Sequence, residues 1–141
     1  MKIKPVVTDH LSVRHTSSLI DFHFTNNLTI LTGDSGEGKT LVYTILREES
    51  AADERLVCLN YLNIRDNILE LLGRYTGKVI VIDNADILLT DEVRKYISTD
   101  ISNQYLIIGR NPANLLTTKD NLFILKAARK GEETIFSLEA L

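Results

Sequence analysis

Cysteine and proline are scarce in this sequence of 141 residues. Cys58 is the single cysteine, which excludes an internal disulfide framework and is typical of a reducing compartment. Two prolines and seven glycines leave no room for a linker-rich or low-complexity architecture. Because 44% of the residues are hydrophobic and 25% are charged, we expect one soluble globular domain over residues 1–141.

Long hydrophobic runs and an excess of basic charge are also missing. No apolar run exceeds four residues, whereas a membrane-spanning helix needs about 20. Residues 1–5 lack the apolar segment of a signal peptide. The net charge of −3 argues against a broad grip on nucleic acid, although a local basic patch stays possible. We therefore expect a cytoplasmic protein that makes no membrane contact.

Short apolar runs alternate with longer amphipathic stretches, a pattern typical of strands alternating with helices. Val79-Ile80-Val81-Ile82 is β-branched throughout and predicts a buried parallel strand. Further strands are predicted over 28–32, 56–59 and 105–108, and helices over 39–50, from a cap at Asn63 to a stop at Gly77, and after a cap at Thr90.

Hairpins are predicted at both ends of this alternation. Residues 19–24 and the Asn26-Asn27 turn indicate a hairpin leading into the strand at 28–32. Residues 122–125 and 134–136 predict a second hairpin around Lys130-Gly131. The expected fold class is therefore α/β: a three-layer, mostly parallel central sheet with helices on both faces and β-hairpins flanking both ends.

A glycine-rich stretch between a predicted strand and a predicted helix fits the pattern G-x-x-x-x-G-K-[ST]. Its residues are Gly33-Asp34-Ser35-Gly36-Glu37-Gly38-Lys39-Thr40. Glycines permit unusual backbone torsions, so that the N–H groups form a nest for phosphates at the helix N-terminus. In this pattern Lys39 neutralises the β- and γ-phosphates and the Thr40 hydroxyl ligates magnesium.

Asp83 directly follows the strand predicted over 79–82. A magnesium–nucleotide site needs a carboxylate at the end of a neighbouring strand, which favours Asp83 as its acidic partner. An aspartate that only ends a strand at a turn is the alternative.

The loop and the strand ending in Asp83 resemble the Walker A and Walker B motifs of P-loop NTPases. The alternating order over most of the chain is similar to the additional-strand division of that superfamily, which includes AAA and ABC-type ATPases. The resemblance implies a P-loop NTPase-like fold, with ATP and Mg²⁺ as cofactors. Thr118-Lys119-Asp120-Asn121 comes near a guanine-reading pattern but ends in asparagine, which leaves adenine as the favoured base.

The residue after the Walker B aspartate is usually a catalytic glutamate in that division, but here it is Asn84. An amide holds a water without accepting its proton, so the assistance of a general base is missing at this position. Asp86 is a candidate substitute for that base. In AAA-like ATPases a polar residue after the corresponding strand contacts the γ-phosphate, so the resemblance makes Arg110 or Asn111, after the strand at 105–108, a candidate for that contact.

Three functions stay open on these residues. The first is Mg²⁺-dependent ATP binding with slow or partner-stimulated hydrolysis, in which a protein partner or a second copy supplies a missing arginine. The second is a nucleotide-binding switch or interaction module with little turnover. The third is a small-molecule kinase, which the scattered arginines disfavour. His10, His15 and His23 share no tight ligand spacing, so we expect surface histidines rather than a metal site.

Overall fold

Eight strands and three α-helices are formed by the residues that the computed structural model describes, which are 3–33, 38–60, 67–85, 90–109 and 119–141. The strands are β1 (His10–His15), β2 (Ser18–His23), β3 (Leu28–Thr32), β4 (Leu56–Asn60), β5 (Val79–Asp83), β6 (Gln104–Ile108), β7 (Leu122–Lys130) and β8 (Glu133–Ala140). The helices are α1 (Lys39–Glu49), α2 (Ile68–Gly73) and α3 (Asp91–Thr99), and a 3-10 turn covers Lys119–Asn121.

All eight strands belong to one mixed sheet, in the order β1-β2-β8-β7-β3-β6-β5-β4. Strand β3 is flanked by β7 and β6, and it runs parallel to both. Strands β5 and β4 continue in the same direction beyond β6. On the other side of β3, β7 pairs antiparallel with β8, β8 pairs parallel with β2, and β2 pairs antiparallel with β1.

The prediction of a three-layer, mostly parallel α/β architecture is wrong. Strands account for 43% of the structure and helices for 24%, and the mixed sheet curls into a half-barrel. The physical reason lies in the hairpins, which were expected to flank the sheet. The strand edges of β2 and β8 pair with each other instead, so that both hairpins lengthen the sheet.

The N-terminal hairpin also differs from its prediction. It joins β1 to β2, and β2 lies beside β8 rather than beside β3. The C-terminal hairpin joins β7 to β8, with Lys130 opposite Glu133 at its turn. Its pairing extends through Phe123 and Ala140, so the strands are longer than the apolar runs at 122–125 and 134–136.

Two apolar clusters pack on opposite faces of the sheet. On one face, buried side chains of α1 pack against β1, β2, β8 and the central strands, and they include Val42, Ile45, Leu46, Val13, Ile20, Leu31, Val81, Leu106 and Phe136. On the other face, α2 and α3 bury Ile68, Leu72, Val93 and Ile97 against Ile30, Ile80, Ile82 and Ile107. Residues of one strand alternate between the two clusters, as the pleat requires.

The helices begin at polar residues that accept hydrogen bonds from the first turn. The Thr90 hydroxyl accepts from the amide of Val93, as the sequence predicts for α3. Asn67, rather than Asn63, caps α2 through the amides of Leu69 and Glu70, and residues 61–66 lie outside the described ranges. Within the described ranges, the helices are too short or too polar for any of them to cross a membrane.

A buried asparagine holds the start of β3 in place. Asn27 is only 4% exposed, and its side-chain amide donates to the backbone oxygens of Asp100 (3.1 Å) and Asn103 (2.8 Å). Its Oδ1 accepts from the amide of Val6 at 3.0 Å. The backbone oxygen of Asn27 accepts in turn from the amide of Tyr105. One side chain thus joins the N-terminal segment, β3 and the turn before β6.

We predict that Asn27→Ala lowers the free energy of unfolding by about 3 kcal/mol, because it leaves three backbone groups without their partner in a buried region. Chemical denaturation of both proteins measures this difference. Asn26→Ala is the matched control, since the neighbouring Asn26 is equally buried but makes one described bond, to the Asp120 oxygen. An Asn26→Ala loss as large as that of Asn27→Ala would contradict this assignment.

Candidate nucleotide site

Parallel strands β3, β5 and β6 all end at one edge of the sheet. Gly33 follows β3, Asn84 follows β5 and Gly109 follows β6. The chain leaves β3 toward β4 on one side, and it leaves β6 toward β7 on the other side of β3. A crevice outside the carboxyl ends of parallel strands, where the connections diverge in this way, is the usual ligand site of parallel sheets. The glycine-rich loop lies at this point of divergence.

Both ends of the glycine-rich loop have a left-handed backbone, with φ of 128° at Gly33 and 98° at Gly38. Lys39 follows as the first residue of α1 and is only 8% exposed. Its ammonium donates to the backbone oxygen of Gly33 at 2.6 Å. The side chain of Lys39 therefore joins Gly33, at the end of β3, to the start of α1.

Gly38 also lies against side chains from the C-terminal hairpin. A Cβ placed on it would be 3.0 Å from Cε1 of Phe136 and 3.4 Å from Cδ2 of Leu125. Carbon atoms this close repel each other, so a side chain at this position would require Phe136 to shift by a few tenths of an ångström. The hairpin thereby fixes the entry of the chain into α1.

Asp83 lies on the same face of the sheet as α1. Val79 and Val81 of β5 belong to the cluster around α1, and the pleat returns to that face at Asp83. Asn60, at the end of β4, pairs in register with Asp83 and shares this face. Burial, together with the charges of Cys58 and then Asp83, raises the pKa of Tyr43 in α1 to about 12. Asp83 is thus close enough to α1 for its charge to contribute to the raised pKa of Tyr43.

Asn84 is one of the few non-glycine residues with a positive φ, 56°. Asparagine tolerates this left-handed conformation better than glutamate does, because its short side chain forms local hydrogen bonds. Its Nδ2 donates to Oδ1 of Asn60 at 3.1 Å, and the following amide, of Ala85, donates to the Ile108 oxygen. The side-chain amide of Asn84 and the backbone amide of Ala85 therefore link the ends of β4, β5 and β6 by hydrogen bonds.

The structure brings a subset of the predicted site residues to one edge. Gly33, Gly38, Lys39, Thr40, Asp83 and Asn84 are described there. Asp34, Ser35, Gly36 and Glu37 of the loop, and Asp86 and Arg110, lie outside the described residues. Thr40 is in the first turn of α1 with an exposed side chain, and its backbone oxygen accepts from the hydroxyl of Thr44.

Sequence reasoning missed Asn60 and Phe136. Asn60 ends an apolar strand just as Asp83 does, so its position after Leu56–Leu59 was an available signal. Phe136 offered none, because its contact with Gly38 joins residues about a hundred positions apart. Cys58, in β4, has a pKa raised to about 12 by burial, which fits the inert thiol expected of an apolar strand.

Comparisons with protein-family models, with curated proteins and with solved structures found no match for this chain. The function of the site is therefore argued from its residues.

We predict that Gly38→Ala destabilises the protein by more than Gly131→Ala does. Both residues have a positive φ, 98° and 64°, so each change imposes a strain of about 1–3 kcal/mol. Nothing lies within 4 Å of a Cβ built at Gly131, whereas the Cβ at Gly38 meets Phe136. Thermal unfolding of the two variants measures the difference.

Gly73→Ala completes the series, since Gly73 lies in α2 with open space around it. This variant should unfold at or above the temperature of the wild type, because alanine favours a helix over glycine by about 1 kcal/mol. An equal loss of thermal stability in Gly38→Ala and Gly131→Ala would contradict the close packing of the C-terminal hairpin against Gly38.

Proposed function

We propose that this chain binds ATP with Mg²⁺ in the loop 33–40, and that it hydrolyses the nucleotide slowly or only when a partner stimulates it. The observation that carries the proposal is the buried Lys39, whose ammonium donates to the backbone oxygen of Gly33. A lysine held in this way presents a positive charge at the carboxyl edge of β3. Adenine is the favoured base because the sequence lacks a complete guanine-reading motif.

The N-terminus of α1 suits an anionic ligand. Helices α2 and α3 satisfy their first-turn amides with the side chains of Asn67 and Thr90. The residue at the same position of α1 is Gly38, which has no side chain to offer. The first turn of α1 also lacks an acidic residue, so the partial positive charge of the helix dipole there is not offset by one. Phosphate oxygens are the natural acceptors for amides at such a terminus.

The oxygen atoms near this terminus fit a hard divalent cation. Asp83 supplies a carboxylate and Asn60 an amide oxygen on the face that α1 covers. Thr40 supplies a hydroxyl one residue after Lys39. Mg²⁺ prefers oxygen ligands and is held in proteins by one or two carboxylates together with phosphates. When bound, the ion would neutralise phosphate charge, while Thr40 and Asp83 would hold it.

The environment of Asn84 favours slow turnover. Its side chain is engaged with Asn60, and an amide accepts no proton from a water at neutral pH. General-base assistance is typically worth about 10²–10⁴-fold in rate, so its loss at this position lowers turnover accordingly. Asp86 and Arg110 remain candidates for contacts near the γ-phosphate. The same observation favours a second candidate function, a switch module in which bound nucleotide orders a surface for a protein partner or a second copy.

The wider setting is part of the proposal. A protein partner, or self-association, would supply the arginine that completes the site. The single cysteine suits a cytoplasmic location, and a net charge of −3 gives no support to nucleic acid as the main ligand.

Calorimetric titration with Mg·ATP tests the binding claim. We predict saturable binding at one site per chain, and an affinity at least about tenfold weaker in Lys39→Ala, since a charge-assisted hydrogen bond is worth about 1.5–3 kcal/mol. In Asp83→Asn, the affinity for ATP should differ little between titrations with and without Mg²⁺. This second variant keeps the test usable if Lys39→Ala fails to fold.

Lys78→Ala is the matched control. Lys78 also donates its ammonium to a backbone oxygen, that of Glu54 at 2.7 Å, but it precedes β5 and so lies at the opposite edge of the sheet. Its loss should leave ATP affinity unchanged. Wild-type affinity in a folded Lys39→Ala protein would refute the assignment of the site, as would equal weakening in Lys78→Ala.

A further inference from the structure

Three metal-ligating side chains meet on the N-terminal hairpin, away from the loop 33–40. His10 of β1 lies directly opposite His23 of β2 in the antiparallel register. Asp21 is two residues before His23, so the pleat places it on the same face of the hairpin. Leu11 and Phe22 are buried on the opposite face, which leaves the three polar side chains directed toward solvent.

The ligand atoms of these side chains already converge. Nε2 of His10 is 2.5 Å from Oδ1 of Asp21, and Nε2 of His23 is 3.5 Å from the same oxygen. The two imidazole rings stack in parallel, with centroids 4.1 Å apart and planes 4° from parallel. One ligand atom from each residue lies within 4.8 Å of the others. Ligand atoms that share a zinc ion at about 2.0–2.2 Å are about 3–4 Å apart, which is close to the separations found here. The two rings would have to turn out of their parallel stack, because an imidazole nitrogen binds a metal in the plane of its ring.

We infer that His10, Asp21 and His23 form a binding site for a divalent transition-metal ion of the zinc class. Two imidazoles and one carboxylate are ligands that suit Zn²⁺, Ni²⁺ or Fe²⁺, whereas Mg²⁺ prefers oxygen atoms alone. The side chains remain 45%, 36% and 69% exposed, so water has access to complete the coordination. A site with three protein ligands and an open position is typical of metals that exchange or bind a further ligand.

The backbone under this site is ordered by the pairing of β1 with β2, which runs from His10 opposite His23 to His15 opposite Ser18. The first half of β2, residues 18–20, also pairs with β8, so the hairpin is not an isolated ribbon. The backbone oxygen of His10 accepts from the Thr8 hydroxyl, and the amide of Phe24 donates to the oxygen of Asp9. These bonds hold the backbone next to His10 and His23 in register. The backbone that carries the three ligands is therefore ordered before a metal arrives, which reduces the ordering cost of binding.

This site is separate from the proposed nucleotide site. Strand β2 is parallel to β8, β8 is antiparallel to β7, and β7 is parallel to β3. Strand β2 thus runs opposite to β3, and His23, at its end, lies at the edge of the sheet where β3 begins. Loss of one site leaves the ligands of the other in place.

The test is calorimetric titration of ZnCl₂ into the full chain without affinity tag or nucleotide. We expect one zinc ion per chain in the wild type, and an affinity at least about tenfold weaker in His10→Ala and in His23→Ala. Even groups that only support a metal ligand contribute about 10–100-fold to affinity, so a direct ligand should cost no less. Zinc should also raise the unfolding temperature of the wild type and not that of His23→Ala.

His15→Ala is the matched control, because His15 is the third histidine of the chain and ends the same strand β1. Its Nε2 instead lies 2.6 Å from Oε2 of Glu48. Zinc affinity should be unchanged in this variant. The inference is overturned if the wild type takes up no zinc, or if folded His10→Ala and His23→Ala proteins bind it as tightly as the wild type. Far-ultraviolet circular dichroism establishes that each variant is folded.

Discussion

The parallel pairing of β3 with both β6 and β7 is the constraint on which the candidate site depends. Together with the pairing of β5 on β6, the pairing of β3 with β6 aligns the carboxyl ends of β3, β5 and β6. The position of β7 on the other side of β3 makes the chain diverge to two sides at this edge. The polar contacts of Asn27 fix the beginning of β3, and the bond from Lys39 to Gly33 ties its end to the start of α1. A shift of β3 by one residue would turn Leu31 away from the α1 face.

Sequence reasoning located the central strands and the cap of α3 better than the architecture. The β-branched run at 79–82 and the apolar run at 105–108 each became a strand, and Thr90 caps α3, because these features depend on neighbours in the chain. The pairing of β2 with β8 joins residues 18–20 to residues 134–136. No local pattern encodes such a distant edge, and for that reason the expected three-layer sandwich was wrong.

The two candidate sites differ in what the sequence could reveal. The loop 33–40 is a contiguous motif, so its chemistry could be proposed from spacing alone. The sequence alone does not reveal the proximity of His10 and His23, because they are thirteen positions apart and become neighbours only in the register of β1 with β2. For Asn84, sequence and structure each contribute. The sequence shows that it replaces the glutamate usual in the family that the motifs resemble, and the left-handed backbone of the structure gives a physical reason for asparagine there.

An amide ¹H–¹⁵N correlation spectrum recorded with and without Mg·ATP tests nucleotide binding at the loop 33–40 most directly. We predict that signals of Gly33, residues 38–42 and residues 83–85 shift together on saturation. Signals of Asn27, Asn103 and the His10–His23 pair, at the opposite edge of the sheet, should stay in place. Shifts confined to that opposite edge, or a spectrum unchanged by the nucleotide, would contradict the central claim.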